Sequence, residues 1–231
     1  MPGPATMVPC DNRDVNPPFA SSTLGDFLAR LASAEPTPGG GSASAVAGSM
    51  AAALVSMVAS LSAGRPKYAP YTSTLERAGA VGDDTRRRLL ELADKDSRAY
   101  DGFAAAMKLP RQTPSEIAER QAAIQAAARA ATEVPMAIVQ VCRTVAAELE
   151  SLAGRSNTNA SSDLLVGALL TDAAARGAAA NVFINLPSVG DPEFEDHALR
   201  EVTTALALIE DLAAQVRLVV GSGELREPED A

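Results

Sequence analysis

From Pro36 to Gly64 the chain runs 29 residues without a charge. A segment like this belongs either in a lipid bilayer or inside a protein. Its make-up favours the interior. It opens with Pro36-Thr37-Pro38-Gly39-Gly40-Gly41-Ser42, and Ser42 to Ala63 carries six serines among many alanines, far less apolar than a Leu-rich span. Small side chains let neighbouring helices approach closely, as at the centre of a helical bundle. The expectation is a cytoplasmic protein with no membrane partner.

The rest of the chain points the same way. About a fifth of it is Ala, aromatics are 3% and Trp is absent. A β-sandwich or barrel would want more β-branched and aromatic side chains. Thr23 and Asp26 form a capping pair for a short helix to about Ala34, stopped by Pro36 and Pro38. The glycine turn feeds a helix over 42–62, with Gly64 just past its end. A third helix spans 71–107, with a possible break at Gly79 or Gly82. Thr113-Pro114-Ser115-Glu116 is a capping box for a helix to about Ala131. A new helix is expected to restart at Thr132-Glu133-Val134-Pro135 and run to Leu152. The polar loop 154–163 precedes a helix over 162–180, after which 181–185 either continues or extends. Asp191-Pro192-Glu193 caps a last helix to about Val220. No internal repeat or linker divides the chain. The expected fold is all-α, a single-domain bundle of six to seven helices over 22–221. A Pro-rich, disordered leader (1–21) with no signal-peptide core precedes it, and an acidic tail (222–231) follows.

Several function classes are disfavoured. A net charge of −9 does not suit phosphate neutralisation, so no nucleic-acid partner is expected. Cys10 and Cys142 give neither a disulfide framework nor a metal cluster, and one histidine, His197, leaves little room for zinc or Ser-His-Asp chemistry. His197 and the acidic residues Asp94 and Asp96 read as surface groups on charge-rich helices.

Three polar islands interrupt the apolar pattern. Gly39, Gly40, Gly41 and Ser42 enter a helix N-terminus, where free N–H groups favour an anion or a carbonyl; a tight helix-crossing loop fits equally well. Asn157, Ser162 and Asp163 crowd the start of another helix. There Asp163 is either a dipole-favouring residue behind a serine cap or a base in a cleft. Asn181 and Asn185, if helical, put two amides on one face, as buried structural amides, as ligand contacts or with Asn185 as a C-cap. Arg65, Lys67 and Tyr68 form a small basic patch, either a seat for a carboxylate-rich ligand or, taken singly, ordinary solvated surface residues.

These islands in this order, as PTPGGGS, MAAALVSMVASLSAGRPKY, MKLPRQTPSE, SNTNASSDLLVGA and NVFINL, resemble the cyclodeaminase/cyclohydrolase family of folate enzymes over about residues 22–221. The resemblance implies a cyclodeaminase-like all-α fold, a homodimer or higher assembly, and a tetrahydrofolate derivative as substrate, with neither metal nor cofactor. It implies folate contacts at Gly39, Gly40, Gly41, Ser42, Asn157, Asn181 and Asn185. It further implies Asp163 with Ser162 as the catalytic pair, Asp163 acting as base or as pterin anchor, and Lys67 with Tyr68 near folate glutamates if the substrate is polyglutamylated. Pro66 stands where relatives usually have another basic residue, and Ser156 where many have Gly. A free-standing chain and the MAIVQVCRTV helix favour methenyltetrahydrofolate cyclohydrolase. The alternatives are a formiminotetrahydrofolate cyclodeaminase, which releases ammonia, and a non-catalytic helical module that binds folate or a partner.

Overall fold

The structure is a computed structural model that describes residues 18–228; the expected leader up to residue 17, with Cys10, and the last three residues lie outside the described residues. It contains helices α1 (Leu24–Leu31), α2 (Gly40–Ser62), α3 (Thr72–Met107), α4 (Pro114–Leu152), α5 (Ser161–Asn185) and α6 (Pro192–Ser222), joined by short 3₁₀ turns, with no strand among the described residues. The all-α bundle expected from sequence is what forms.

Helix α2 sits against α3, α5 and α4. It is long and apolar enough to cross a membrane, yet half of its most apolar stretch is enclosed by the other helices. Ala45, Ala51, Ala52, Val55 and Val58 are fully buried. Its buried serines are satisfied by backbone carbonyls: Ser49 Oγ donates to Arg86 O at 3.0 Å and Ser62 Oγ to Val58 O at 2.7 Å. A hydroxyl satisfied this way avoids the cost of an unpaired buried polar group.

Three local expectations are corrected. Helix α2 begins at Gly40 with Gly39 as N-cap, so the glycine run forms the first helical turn and not a separate turn ahead of a helix starting at Ser42. A Cβ on Gly41 would collide with the Asp96 carboxylate. Helix α3 continues through Gly79 and Gly82. At Gly82 a Cβ would lie 2.5 Å from Ser56 Oγ and 2.9 Å from Ala52 O, so the glycine lets α3 cross α2 closely. Helix α4 does not restart near residue 132 but runs straight through Pro135. Pro135 has no N–H for the Ala131 carbonyl. Asn185 Nδ2 of α5 donates to that carbonyl at 2.8 Å, and the ladder's lost bond is replaced from a neighbouring helix.

The ordered body extends past both expected boundaries. Phe19 packs edge-on against Phe27, and its N–H reaches Asp94 Oδ1 at 3.0 Å. Beyond α6, Arg226 N–H donates to Gly154 O at 2.8 Å, Arg226 Nη1 pairs with Glu150 at 2.6 Å, and Tyr71 donates to Arg226 O at 2.8 Å. Residues read as an acidic tail therefore strap the end of α4.

Two glycines of α3 should respond in opposite directions to Ala. Gly82→Ala is expected to destabilise by about 1–3 kcal/mol through overpacking against α2. Gly102→Ala, where a Cβ meets nothing within 4 Å, should stabilise by roughly 0.5–1 kcal/mol. Urea unfolding of both variants checks this, and equal effects would refute the close-crossing account.

Candidate active site

A cleft of about 300 Å³ opens at the N-terminal end of α2. It is lined by the glycine turn (Gly39, Gly40, Gly41), by Asp96, Tyr100 and Phe103 of α3, by Ala131 of α4 and by Asn181 and Asn185 of α5. Two islands separated by about 140 residues thus meet in one cavity. The asparagines lie in the last turns of α5, which runs unbroken to Asn185, so both amides share the helix face toward the cleft.

Asp96 was read from sequence as a surface residue, and here the structure corrects that reading. It is half-buried over the first turn of α2, with Ser42 Oγ 2.9 Å from its Oδ2. The Ser42 hydroxyl also lies 3.0 Å from Ala93 O and is fully buried. Burial pushes the Asp96 carboxyl above its ordinary value and outweighs the hydrogen bonds from the Ser42 side chain and backbone, which pull it down. A carboxyl group of this kind, held above its ordinary value and next to open volume, is suited to take up and return a proton. Tyr100 and Phe103 were also missed from sequence. Two of the chain's eight aromatic side chains thus border this one cleft, where an aromatic ring favours a planar ligand. A carboxylate within a charged helix face gave no signal of its own; only the glycine turn packed against α3 selects it.

The other residues singled out from sequence gather elsewhere. Asn157 is buried in the loop after α4, where its N–H donates to Ser62 Oγ at 2.7 Å and its Oδ1 accepts from Asn159 N–H at 3.1 Å. Tyr68 is buried beside it and its hydroxyl accepts the Thr158 N–H at 3.1 Å. Burial pushes the Tyr68 phenol up, but the Thr158 hydrogen bonds and the adjacent Lys67 ammonium outweigh this and hold it below its ordinary value. Lys67 Nζ stands 5.4 Å from the Tyr68 ring centre. Ser156, in place of glycine, is accommodated because its φ is not left-handed (among the described residues only glycines adopt a positive φ), and its hydroxyl donates to Leu152 O at 2.8 Å. Helix α5 starts from a 3₁₀ turn with Ala160 as N-cap and no side-chain cap, so neither Ser161 nor Ser162 serves that role. Ser162 is exposed and Asp163 half-exposed in the first turn. Asp163 and Asn181 belong to the same helix and stand roughly 27 Å apart along its axis at about 1.5 Å per residue. Within one chain, then, Asp163, Ser162, Asn157, Lys67 and Tyr68 lie at the opposite end of the bundle from the cleft.

A profile of formiminotransferase-cyclodeaminase proteins matches residues 23–204. The chain belongs to that family. It is 40% identical over 187 residues to the methenyltetrahydrofolate cyclohydrolase of Methylorubrum extorquens, a match covering 81% of this chain and 90% of that protein. It is 34% identical over 209 residues to the formimidoyltransferase-cyclodeaminase of Gallus gallus, which covers 90% of this chain but 38% of that longer protein. The crystal structure of formiminotetrahydrofolate cyclodeaminase from Thermotoga maritima superposes with a TM-score of 0.80 at 32% identity, covering 88% of this chain and 98% of that one. The bundle is therefore the cyclodeaminase fold of this family.

Asp96 should leave a signature in the pH dependence of stability. Its folded-state pKa lies above its unfolded one, so the folded chain binds more protons between 3.8, the ordinary value, and the raised value. The stabilisation from the neutral acid is present below that window and is lost as pH rises through it. Asp96→Asn should not show this decline, so its stability relative to the wild type should rise as pH increases above the ordinary carboxyl value of 3.8. Urea unfolding at several pH values tests this; a constant difference would contradict a raised pKa.

Proposed function

We propose that this protein is a methenyltetrahydrofolate cyclohydrolase that converts 5,10-methenyl-tetrahydrofolate to 10-formyl-tetrahydrofolate by acid–base chemistry, with neither metal nor cofactor. The 40% identity spanning nine-tenths of the cyclohydrolase of M. extorquens carries this reading. The cleft supplies the chemistry it requires. Asp96 takes a proton from the attacking water as the new C–O bond forms at the amidinium carbon, giving a neutral tetrahedral adduct. The acid then returns that proton to N5 as the C–N5 bond breaks. The adduct hydroxyl gives up its proton to solvent and becomes the formyl oxygen on N10. Ser42 orients the carboxyl, and the first turn of α2 directs N–H groups toward the cleft.

The Thermotoga likeness favours a related second reading, formiminotetrahydrofolate cyclodeaminase. There N10 attacks the formimino carbon and ammonia leaves, through the same kind of adduct and the same proton carrier.

The active form in this proposal is a homodimer. Helix α2 carries no charge, yet Met50, Met57 and Leu61 on one stripe are 37–45% exposed. An apolar stripe of this kind suits a second copy of the chain. A two-fold axis across α2 runs the paired helices antiparallel and brings the glycine turn of one subunit toward Lys67, Ser162 and Asp163 of its partner. Lys67 is then placed for the glutamate end of the substrate, and Asp163 joins the site from the other chain.

Near-ultraviolet absorbance of 5,10-methenyl-tetrahydrofolate tests the reaction. Accelerated loss with the wild type and a fall of about 100-fold or more in Asp96→Asn are expected. Appearance of the same band from 5-formimino-tetrahydrofolate, without accelerated loss, would select the second reading. Mixing inactive Asp96→Asn and Asp163→Asn chains should restore about a quarter of wild-type activity, because half the sites in each mixed dimer pair two intact carboxylates. Absence of complementation would refute the shared site.

A further inference from the structure

Asn181 and Asn185 are each committed on one side only. Asn181 Nδ2 donates to Gly177 O at 2.8 Å, and Asn185 Nδ2 donates to Ala131 O at 2.8 Å. Carbonyl oxygens accept only from N–H, so each amide is held with its nitrogen toward a helix. Each Oδ1 makes no hydrogen bond to the described residues, and both side chains line the cleft. Spaced i,i+4, their Cβ atoms stand about 5–6 Å apart on one helix face.

The two tethers differ in origin. The Ala131 carbonyl is free for Asn185 because Pro135 has no N–H to give it. The Gly177 carbonyl sits within the α5 helical ladder and does not need Asn181. A structural role therefore accounts for the nitrogen of Asn185 but for neither oxygen, and it leaves Asn181 unexplained. Gly40 stands beside Asn181, where a Cβ would lie 3.7 Å from Nδ2, and Tyr100 and Phe103 border the same space.

We propose that Asn181 and Asn185 present their side-chain oxygens as a paired acceptor for the 2-amino and N8–H groups of a tetrahydropterin ring, with Pro135 as the positioning residue that fixes the orientation of the Asn185 amide. Those two donors flank N1 on one edge of the ring, and two acceptors one helical turn apart suit that spacing. The pairing rests on the tetrahydrofolate reading above and names the edge by which the ring is held. Asp is a poor substitute at either position, since a carboxylate oxygen would face the Gly177 or Ala131 carbonyl.

Calorimetric titration of the full-length protein with tetrahydrofolate, its 8-deaza analogue and its 2-desamino analogue tests the pairing without turnover. The wild type should bind each analogue about 10-fold more weakly than tetrahydrofolate. Asn181→Leu and Asn185→Leu should bind tetrahydrofolate about 10-fold more weakly and each lose discrimination against at least one analogue. Pro135→Ala returns a helical N–H to Ala131, so adding it to Asn185→Leu should recover thermal stability but not affinity. Recovery of both would reduce Asn185 to a structural residue and overturn the proposal, as would equal binding of all three ligands by the wild type. No binding of tetrahydrofolate at all would instead refute the folate reading, and the pairing with it.

Discussion

The bundle depends on how α2 is accommodated. A helix of 23 residues without a charge can be buried from several sides only if its neighbours come close. Ala, Ser and Gly permit that approach, and each buried hydroxyl must find a carbonyl. Ser49 finds one on α3, and Ser62 finds one on its own helix. Gly48 faces Cys142 Sγ and Leu89 at the crossing with α4 and α3, and Gly82 answers from α3. Cys142 is buried there so completely that its thiol is pushed up to about 12, which makes it a packing residue and not a nucleophile.

The site follows from that packing. Because the first turn of α2 is glycine, α3 passes close enough for Asp96 to lie over it. The same contact that removes water from Asp96 also supplies the Ser42 hydroxyl and backbone N–H that hold it. The candidate proton carrier is thus positioned by helix packing, and the cleft beside it is lined by α3, α4 and α5 around the N-terminus of α2. Pro135 adds a consequence at longer range. By leaving one carbonyl of α4 without its helical partner, it draws an amide of α5 across the cleft wall. The end of α5 then faces the glycine turn across the cleft.

Length separates the remaining polar residues from this cleft. The glycine turn and the Lys67 segment flank opposite ends of α2, and Asp163 and Asn185 lie at opposite ends of α5, so the polar islands of the sequence fall into two groups at the two ends of the bundle. The Asn157 loop is bound to the C-terminal end of α2 through Ser62 and Tyr68, and the strap at Arg226 holds the end of α4 that leads into it.

By itself the sequence determined the helices. The Ala-rich composition, the Thr113–Glu116 capping box, the caps at Thr23 and Asp191, and the left-handed Gly64 all act locally, within one or two turns. It also marked the glycine turn and the two asparagines, because Gly and Asn are costly inside a helix and call for a reason. What it could not determine was anything that depends on a second helix. Pro135 reads as a break until Asn185 arrives to satisfy Ala131. Gly82 reads as a weak point until Ser56 is seen against it. Asp96 reads as one more charge on a charged face until α2 removes its solvent. Hydrogen-bond satisfaction, close approach and desolvation are properties of contacts between distant segments, so only the tertiary structure decided them.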